Sequence, residues 1–172
     1  MKKHNGMRPQ DIVILLKIAA KAGKDWYMKD LSIELGISAS EVSESLNRSA
    51  MAGLISQNKK QLMKQALLEF LERGLKYVYP VQPGAVVRGM PTAHSAAPLA
   101  EEIMSEDLYV WPWAKGNLHG QSIEPLHQSV PEACQKDERL YHMLALVDAL
   151  RVGRKREQQI AGKHLREMIE QG

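Results

Sequence analysis

Apolar residues recur at helical spacing over the first fifty residues of the chain. The i, i+3, i+4, i+7 pattern predicts a helix over 8–22, which Gly23 ends. Two leucines one turn apart predict a second, shorter helix over 28–35. The apolar residues that carry these two patterns are Ile12, Leu15, Leu16, Ala19, Leu31 and Leu35.

The third predicted helix follows a sharp turn. Gly36 is suited to the left-handed backbone that ends a helix, because it has no β-carbon. Ser38 stands three positions before Glu41, which is the spacing of a capping box. The sequence therefore predicts a helix that Ser38 caps and that runs to about Ala52, with Gly53 ending it.

Beyond Gly53 some segments show the apolar spacing of a helix and others the alternation of a strand. This pattern predicts a short strand over 54–57, a turn over 58–60 and a helix over 61–73 that Gly74 closes. Alternation of apolar and polar residues predicts a strand over 75–81. The stretch 82–98 is rich in Gly, Pro, Ala, Ser and Thr and predicts an irregular but ordered loop.

The chain from residue 98 onward is predicted to add a small sheet and helices. A brief helix is expected over 98–104, followed by a hairpin whose strands, 108–113 and 118–126, flank Gly116 and Asn117. Helical spacing then returns in two segments separated by Gly153.

Together the elements predict an α+β, mainly helical protein: a winged helix-turn-helix domain with a small β-sheet and a C-terminal helical extension. Pro80, Pro83 and Gly84 suggest a boundary, with domains over 1–80 and 81–172. Residues 1–80 carry 13 Lys and Arg against 8 Asp and Glu, whereas the remainder carries 10 against 12. A mildly basic front half is typical of a nucleic-acid-binding domain, although many unrelated domains match it.

Several classes of function lack support. One cysteine, Cys134, provides neither a disulfide nor a thiolate zinc site, and the six histidines fall at no metal-ligand spacing. No phosphate-binding glycine loop or nucleophile motif is present, so we expect no enzyme, no metal and no cofactor. The apolar runs are too short to span a bilayer, so we expect a cytoplasmic protein without a membrane partner.

The stretch "LSIELGISASEVSESLNRSAMAGLI", residues 31–55, meets the demands of a helix-turn-helix that binds DNA. Such a motif needs a glycine in the turn, an interlocking apolar set and short polar side chains on the second helix. Here Gly36 supplies the turn. The apolar set is Leu31, Leu35, Ile37, Val42 and Leu46, and the polar set is Ser40, Ser43, Asn47 and Arg48.

Over about residues 8–57 this stretch resembles the winged helix-turn-helix transcriptional regulators of bacteria, of the MarR-like type. The resemblance implies that the third helix enters the major groove and that the wing contacts phosphates. Arg48, Lys59 and Lys60 would then face the DNA backbone. The residues that it implies for DNA binding are Ser38, Ser40, Glu41, Ser43, Glu44, Asn47, Arg48, Lys59 and Lys60. The partners that it implies are double-stranded DNA and a second copy of the chain in a homodimer.

Two departures leave an alternative open. Glu44 stands where this family often has a basic residue, and the wing is short because a helix is predicted where its return strand would run. A glutamate can accept a hydrogen bond from cytosine but repels phosphates. The alternative is a protein-interaction adaptor, or an antitoxin-like partner of a toxin, that uses a repurposed winged helix.

Two further segments are candidates for function. The proline-pinned loop 88–102 places Arg88, Thr92, His94 and Ser95 together, and is either a functional loop or a cover over the sheet. The basic run 151–157 would contact DNA phosphates, bind an acidic partner or be a solvated turn.

Overall fold

The computed structural model describes residues 5–171, and over that range the fold is α+β and mainly helical, with one small sheet. Residues 1–4 and 172 of the two predicted domains lie outside this range. The elements are α1 (Pro9–Ala20), α2 (Met28–Leu35), α3 (Ala39–Met51), α4 (Lys64–Arg73), α5 (Leu75–Val78), β1 (Val86–Pro91), β2 (Tyr109–Pro112), β3 (Leu118–Ser122), α6 (Val130–Gln135), α7 (Glu138–Val152) and α8 (Lys155–Glu170). Short 3-10 turns occupy Ala93–Ser95 and Leu99–Glu101.

The first three helices form where the sequence predicts them. Gly36 has a φ of 67° and ends α2 in the left-handed conformation. Ser38 caps α3, because its hydroxyl accepts a hydrogen bond from the backbone N–H of Glu41 at 3.3 Å. These local signals are sufficient because both residues act on their immediate neighbours.

The predicted hairpin over 108–126 is wrong. Strands β2 and β3 pair in parallel, with Tyr109 opposite Gln121, so they are not the two arms of a tight turn. Strand β1, inside the segment predicted to be irregular, pairs antiparallel with both of them. Each strand therefore contacts the other two, and the small sheet closes on itself.

Close backbone approach explains why the glycines of this sheet do not break it. A β-carbon on Gly89 would lie 2.0 Å from the carbonyl oxygen of Trp111, and one on Gly116 would lie 2.2 Å from the carbonyl oxygen of Gly89. Neither position accepts a side chain. Gly89 and Pro91 obscure the alternation of β1, which is why the sequence predicted a loop there.

Three other predictions change. The segment predicted as a strand over 75–81 contains α5, because the chain continues from α4 through Gly74 in helical conformation. Its apparent alternation is not a buried face, since Leu75 is buried and Tyr77 is exposed. The predicted strand over 54–57 is reduced to a single bridge between Ile55 and Leu62, and the predicted helix over 98–104 to a 3-10 turn.

The two C-terminal helices are confirmed, with their break at Gly153. A β-carbon there would lie 2.4 Å from the carbonyl oxygen of Ala149, so only glycine fits the close return of the chain. Helix α6, six residues long, was not predicted.

The core is organised around α1 and α7. In α1 every residue from Gln10 to Ala19 is buried, and in α7 every residue from Met143 to Leu150 is buried. One apolar cluster joins residues from both sides of position 80, including Leu15, Leu67 and Leu146. Burying each such leucine contributes about 1.5–3 kcal/mol, so the two predicted domains share a substantial part of their stability.

Candidate nucleic-acid interface

A short set of hydrogen bonds fixes the angle between α2 and α3. The backbone N–H groups of Gly36 and Ile37 both donate to the carbonyl of Ser32, at 2.9 and 3.2 Å. The Ser32 hydroxyl donates in turn to the carbonyl of Ile37 at 2.6 Å. The turn is thus closed by its own side chain and backbone, and α3 begins in a defined direction.

The exposed face of α3 contains most of the predicted DNA-contacting residues. Ser40, Glu41, Glu44 and Asn47 are exposed, and Ser43 is half-buried. The opposite face packs inward through Val42, Leu46 and Ala50. The structure therefore brings these polar residues together on one surface, where two of the exposed side chains are carboxylates. We call this set, Ser40, Glu41, Ser43, Glu44 and Asn47, the α3 face.

Arg48 was predicted to contact phosphates, but its side chain is paired with Asp11 inside the protein. Its Nε and Nη2 donate to the two carboxylate oxygens of Asp11, at 2.9 and 2.7 Å. Asp11 is fully buried, and the Arg48 side chain is 11% exposed. The hydrogen bonds to Asp11 raise the pKa of Arg48, which therefore stays charged. Because this charge is used to neutralise Asp11, we remove Arg48 from the candidate interface.

A signal for this pair was present in the sequence but was not used. Asp11 and Lys17 lie among apolar residues in the sequence of α1, and both are buried in the structure. A buried charge needs a partner. Lys17 has its own, since its ammonium group lies 2.6 Å from Asp137 and 3.2 Å from Glu34.

The segment after α3 forms a small ordered hairpin. Beyond the bridge between Ile55 and Leu62, the Ser56 N–H donates to the Gln61 carbonyl at 2.8 Å, and the Met63 N–H to the Leu54 carbonyl at 3.0 Å. At its tip the Lys60 N–H donates to the Asn58 side chain at 3.1 Å. Lys59 and Lys60 lie on this tip, where a wing would place them.

Lys59 and Lys60 also line an open groove of about 960 Å³ between the α1–α2 connection and the hairpin. Two more lysines, Lys24 and Lys64, line it, and Asp25 is the single carboxylate of the lining. Aromatic and apolar groups complete the walls, including Trp26, Tyr27, Met28, Leu46 and Ile169. We call it the lysine groove. No residue of the α3 face lines it, so the predicted DNA-contacting set divides between two surfaces.

The candidate loop 88–102 is held by internal hydrogen bonds. The Thr92 hydroxyl donates to Asp148 at 2.8 Å, and His94 Nε2 lies 2.6 Å from the carbonyl oxygen of Asp107. The Ser95 hydroxyl accepts the Tyr109 N–H at 2.9 Å. Because these side chains pair within the protein, the loop fastens the sheet to α7.

Asp148 is the centre of that attachment. Its fully buried carboxylate accepts hydrogen bonds from Thr92, from the Trp111 indole at 2.6 Å and from Arg151 at 3.0 Å. Burial raises the pKa of Asp148, while Arg151 and the hydrogen bonds oppose that shift. Arg151 also donates to the carbonyls of Tyr79 and Glu124, so the first residue of the basic run 151–157 is structural. Residues 154–156 of that run are exposed.

Residues 5–171 contain neither a group of metal ligands nor a membrane-spanning helix. No three His, Cys, Asp or Glu side chains in this range are grouped to hold a metal ion. His4, one of the six histidines considered from sequence, lies outside it. Within the same range, every helix is too short or too polar to cross a membrane.

Comparison with protein-family models, with curated proteins and with solved structures finds no match to this chain. The candidate interface therefore rests on the geometry and charge of its own residues.

Proposed function

We propose that the protein binds double-stranded DNA as a sequence-specific transcriptional regulator, with α3 in the major groove. The observation that carries the proposal is the α2–α3 pair. A glycine in left-handed conformation and a serine cap fix the start of α3, and its first turns present short polar side chains outward. A major groove admits one α-helix, and such side chains can form hydrogen bonds to base edges.

In this proposal α2, α3 and the hairpin are a winged helix-turn-helix with a short wing. Asn47 is the residue best suited to distinguish bases, because an amide donates and accepts at once and this one is exposed. Lys59 and Lys60 on the wing contact phosphates. Paired half-sites require two copies, so the active form is a homodimer.

Selection from a pool of randomised duplexes tests this proposal. The wild-type protein should enrich a defined site, and Asn47→Ala should relax the preference at one position by about 1–3 kcal/mol. Lys59→Ala with Lys60→Ala should weaken binding to all duplexes alike. Lys163→Ala is the matched control, because this lysine is exposed on α8 and lies outside the lysine groove. Equal loss of preference in the asparagine and lysine variants would contradict the division of roles.

A second function is favoured by a specific observation. With Arg48 bound to Asp11, the α3 face contains two glutamates and no cation of its own. Two apolar side chains nearby in sequence are also well exposed, Ile33 at 69% and Met51 at 70%. These features suit a protein-interaction adaptor or an antitoxin-like partner. The adaptor would be favoured if the protein binds no duplex and forms a stable complex with another protein that Met51→Glu abolishes.

A further inference from the structure

The lysine groove is a positively charged concave surface that is separate from the α3 face. Lys24, Lys59 and Lys60 line it against one carboxylate, Asp25, which gives an excess of two positive charges in a space of about 960 Å³. A concave surface lined by one sign of charge concentrates ligands of the opposite sign. The volume lies at the upper end of the ~300–1,000 Å³ typical of ligand sites, so the groove has room for more than one small ion.

Aromatic side chains distinguish the groove from a simple phosphate patch. Tyr27 is 74% exposed, and Trp26, immediately before it, is half-buried. An exposed ring gains little from the core, whereas a flat ring beside lysines offers a surface on which a base can stack. Tyr27 has extended backbone, with φ −122° and ψ 155°, and directly precedes α2, which fixes the position of its Cα.

The backbone adds hydrogen-bond donors. In the described part of the chain, the N–H groups of Asp25 and Trp26 have no backbone partner, because this connection pairs with no strand. Asp25 and Trp26 line the groove together with Lys24, and backbone N–H groups without an internal partner can donate to phosphate or base oxygens.

We propose that the lysine groove binds unpaired nucleotides of single-stranded nucleic acid. Bases stack on Tyr27 and Trp26, while Lys24, Lys59 and Lys60 contact phosphates. Double-stranded DNA does not offer this contact, because its bases already stack on one another and leave no face for the rings. The proposal does not rest on DNA reading by the α3 face, which lies outside the groove. The two ligands share Lys59 and Lys60, so each lowers the affinity for the other.

Fluorescence anisotropy of a labelled oligothymidylate of about twelve nucleotides tests the proposal on the full chain. Tyr27→Ala should weaken binding at least about fivefold, because a stacked base is worth at least that factor. Tyr27→Phe keeps the ring and should bind within about twofold of wild type, as should Lys163→Ala. Lys24→Ala should reduce the slope of log affinity against log salt by about 0.7.

A second probe needs no variant. An abasic oligomer of equal length has the same phosphates without bases, and it should bind at least about fivefold more weakly than the oligothymidylate. Equal affinity for the two oligomers, no affinity for either, or unchanged binding by Tyr27→Ala would overturn the proposal. A protein that binds duplexes but not the oligothymidylate refutes this inference alone. A protein that binds the oligothymidylate but no duplex refutes only the proposed regulator.

Discussion

The α3 face and the lysine groove have opposite charge, although one helix contributes to both. The α3 face has two glutamates beside serines and an asparagine, whereas the groove has four lysines beside two aromatic rings. Leu46 extends from the buried side of α3 to the groove. A carboxylate surface can select among bases but repels a polyanion. A lysine surface attracts the phosphates of a polyanion whatever its base sequence. Selectivity and affinity are therefore expected to reside in different residues.

The largest expected effect is on stability and concerns Arg48, whose charge belongs to neither surface. Arg48→Ala leaves the buried Asp11 carboxylate without its bidentate partner and should lower the free energy of unfolding by about 3 kcal/mol. The salt dependence of duplex binding should not change, because Arg48 does not face phosphates. Urea denaturation and anisotropy measure the two quantities, with the exposed Lys29→Ala as a control for stability. A shallower salt slope in Arg48→Ala would return this residue to the interface.

Next in size is the turn that orients α3. Gly36→Ala places a β-carbon at a φ of 67° and should cost about 1–2 kcal/mol of stability. Because it changes the start of α3, whereas the groove is lined mainly by the α1–α2 connection and the hairpin, duplex binding should fall more than oligothymidylate binding. Ser40→Ala is the control, since an exposed residue of α3 should alter stability by less than about 0.5 kcal/mol. Equal losses for the two ligands would mean that the surfaces are not separable.

A charge reversal on the α3 face should have a smaller effect. Glu44→Arg removes a repulsive carboxylate and adds a phosphate contact, so the salt slope for duplexes should steepen by about 0.9. Binding of the oligothymidylate should stay within about twofold of wild type. Glu138→Arg is the matched control, because Glu138 is highly exposed on α7. No change in the slope for Glu44→Arg would indicate that this position does not approach DNA.

The smallest expected effect on stability concerns the ion pair of Glu34 with Lys21 and Lys17, which lies outside both surfaces. A hydrogen bond from Lys21, with a further contribution from Lys17, lowers the pKa of Glu34. This ion pair therefore stabilises the protein above the unfolded pKa of 4.5, and the gain disappears as pH falls through the lower pKa of the folded state. Because Glu34 is partly exposed, the gain is a few tenths of a kcal/mol. Glu34→Gln should flatten the dependence of Tm on pH below that value, whereas Glu138→Gln should not.

The sequence was sufficient where the determining interaction is local. Gly36 and Ser38 act on residues within five positions, and both predictions are confirmed. Strand β1 could not be predicted in this way, because Gly89 is required by the approach of the Trp111 backbone, 22 residues later. The prediction of a strand over 75–81 was wrong because the alternation of apolar and polar residues there does not correspond to a buried face. Leu75 faces the core, whereas Tyr77 is exposed.

The candidate interface was predicted in part. Exposure of the polar residues on α3 follows from helical spacing, and the structure places them together. The Arg48–Asp11 pair joins residues 37 positions apart, although the apolar surroundings of Asp11 signalled that it needs a partner. The lysine groove was not predicted, because Lys24 and Lys60 meet only when the α1–α2 connection packs beside the hairpin.

The most direct test of the central claim is the salt dependence of duplex binding between about 50 and 200 mM salt. If the protein is a DNA-binding regulator, affinity for its selected duplex falls steeply over this range. The slope for Lys59→Ala with Lys60→Ala is then shallower than wild type by about 1.8, since each lysine neutralises one phosphate. Lys163→Ala keeps the wild-type slope. Binding that is absent or flat across this range for every duplex tested would contradict the account.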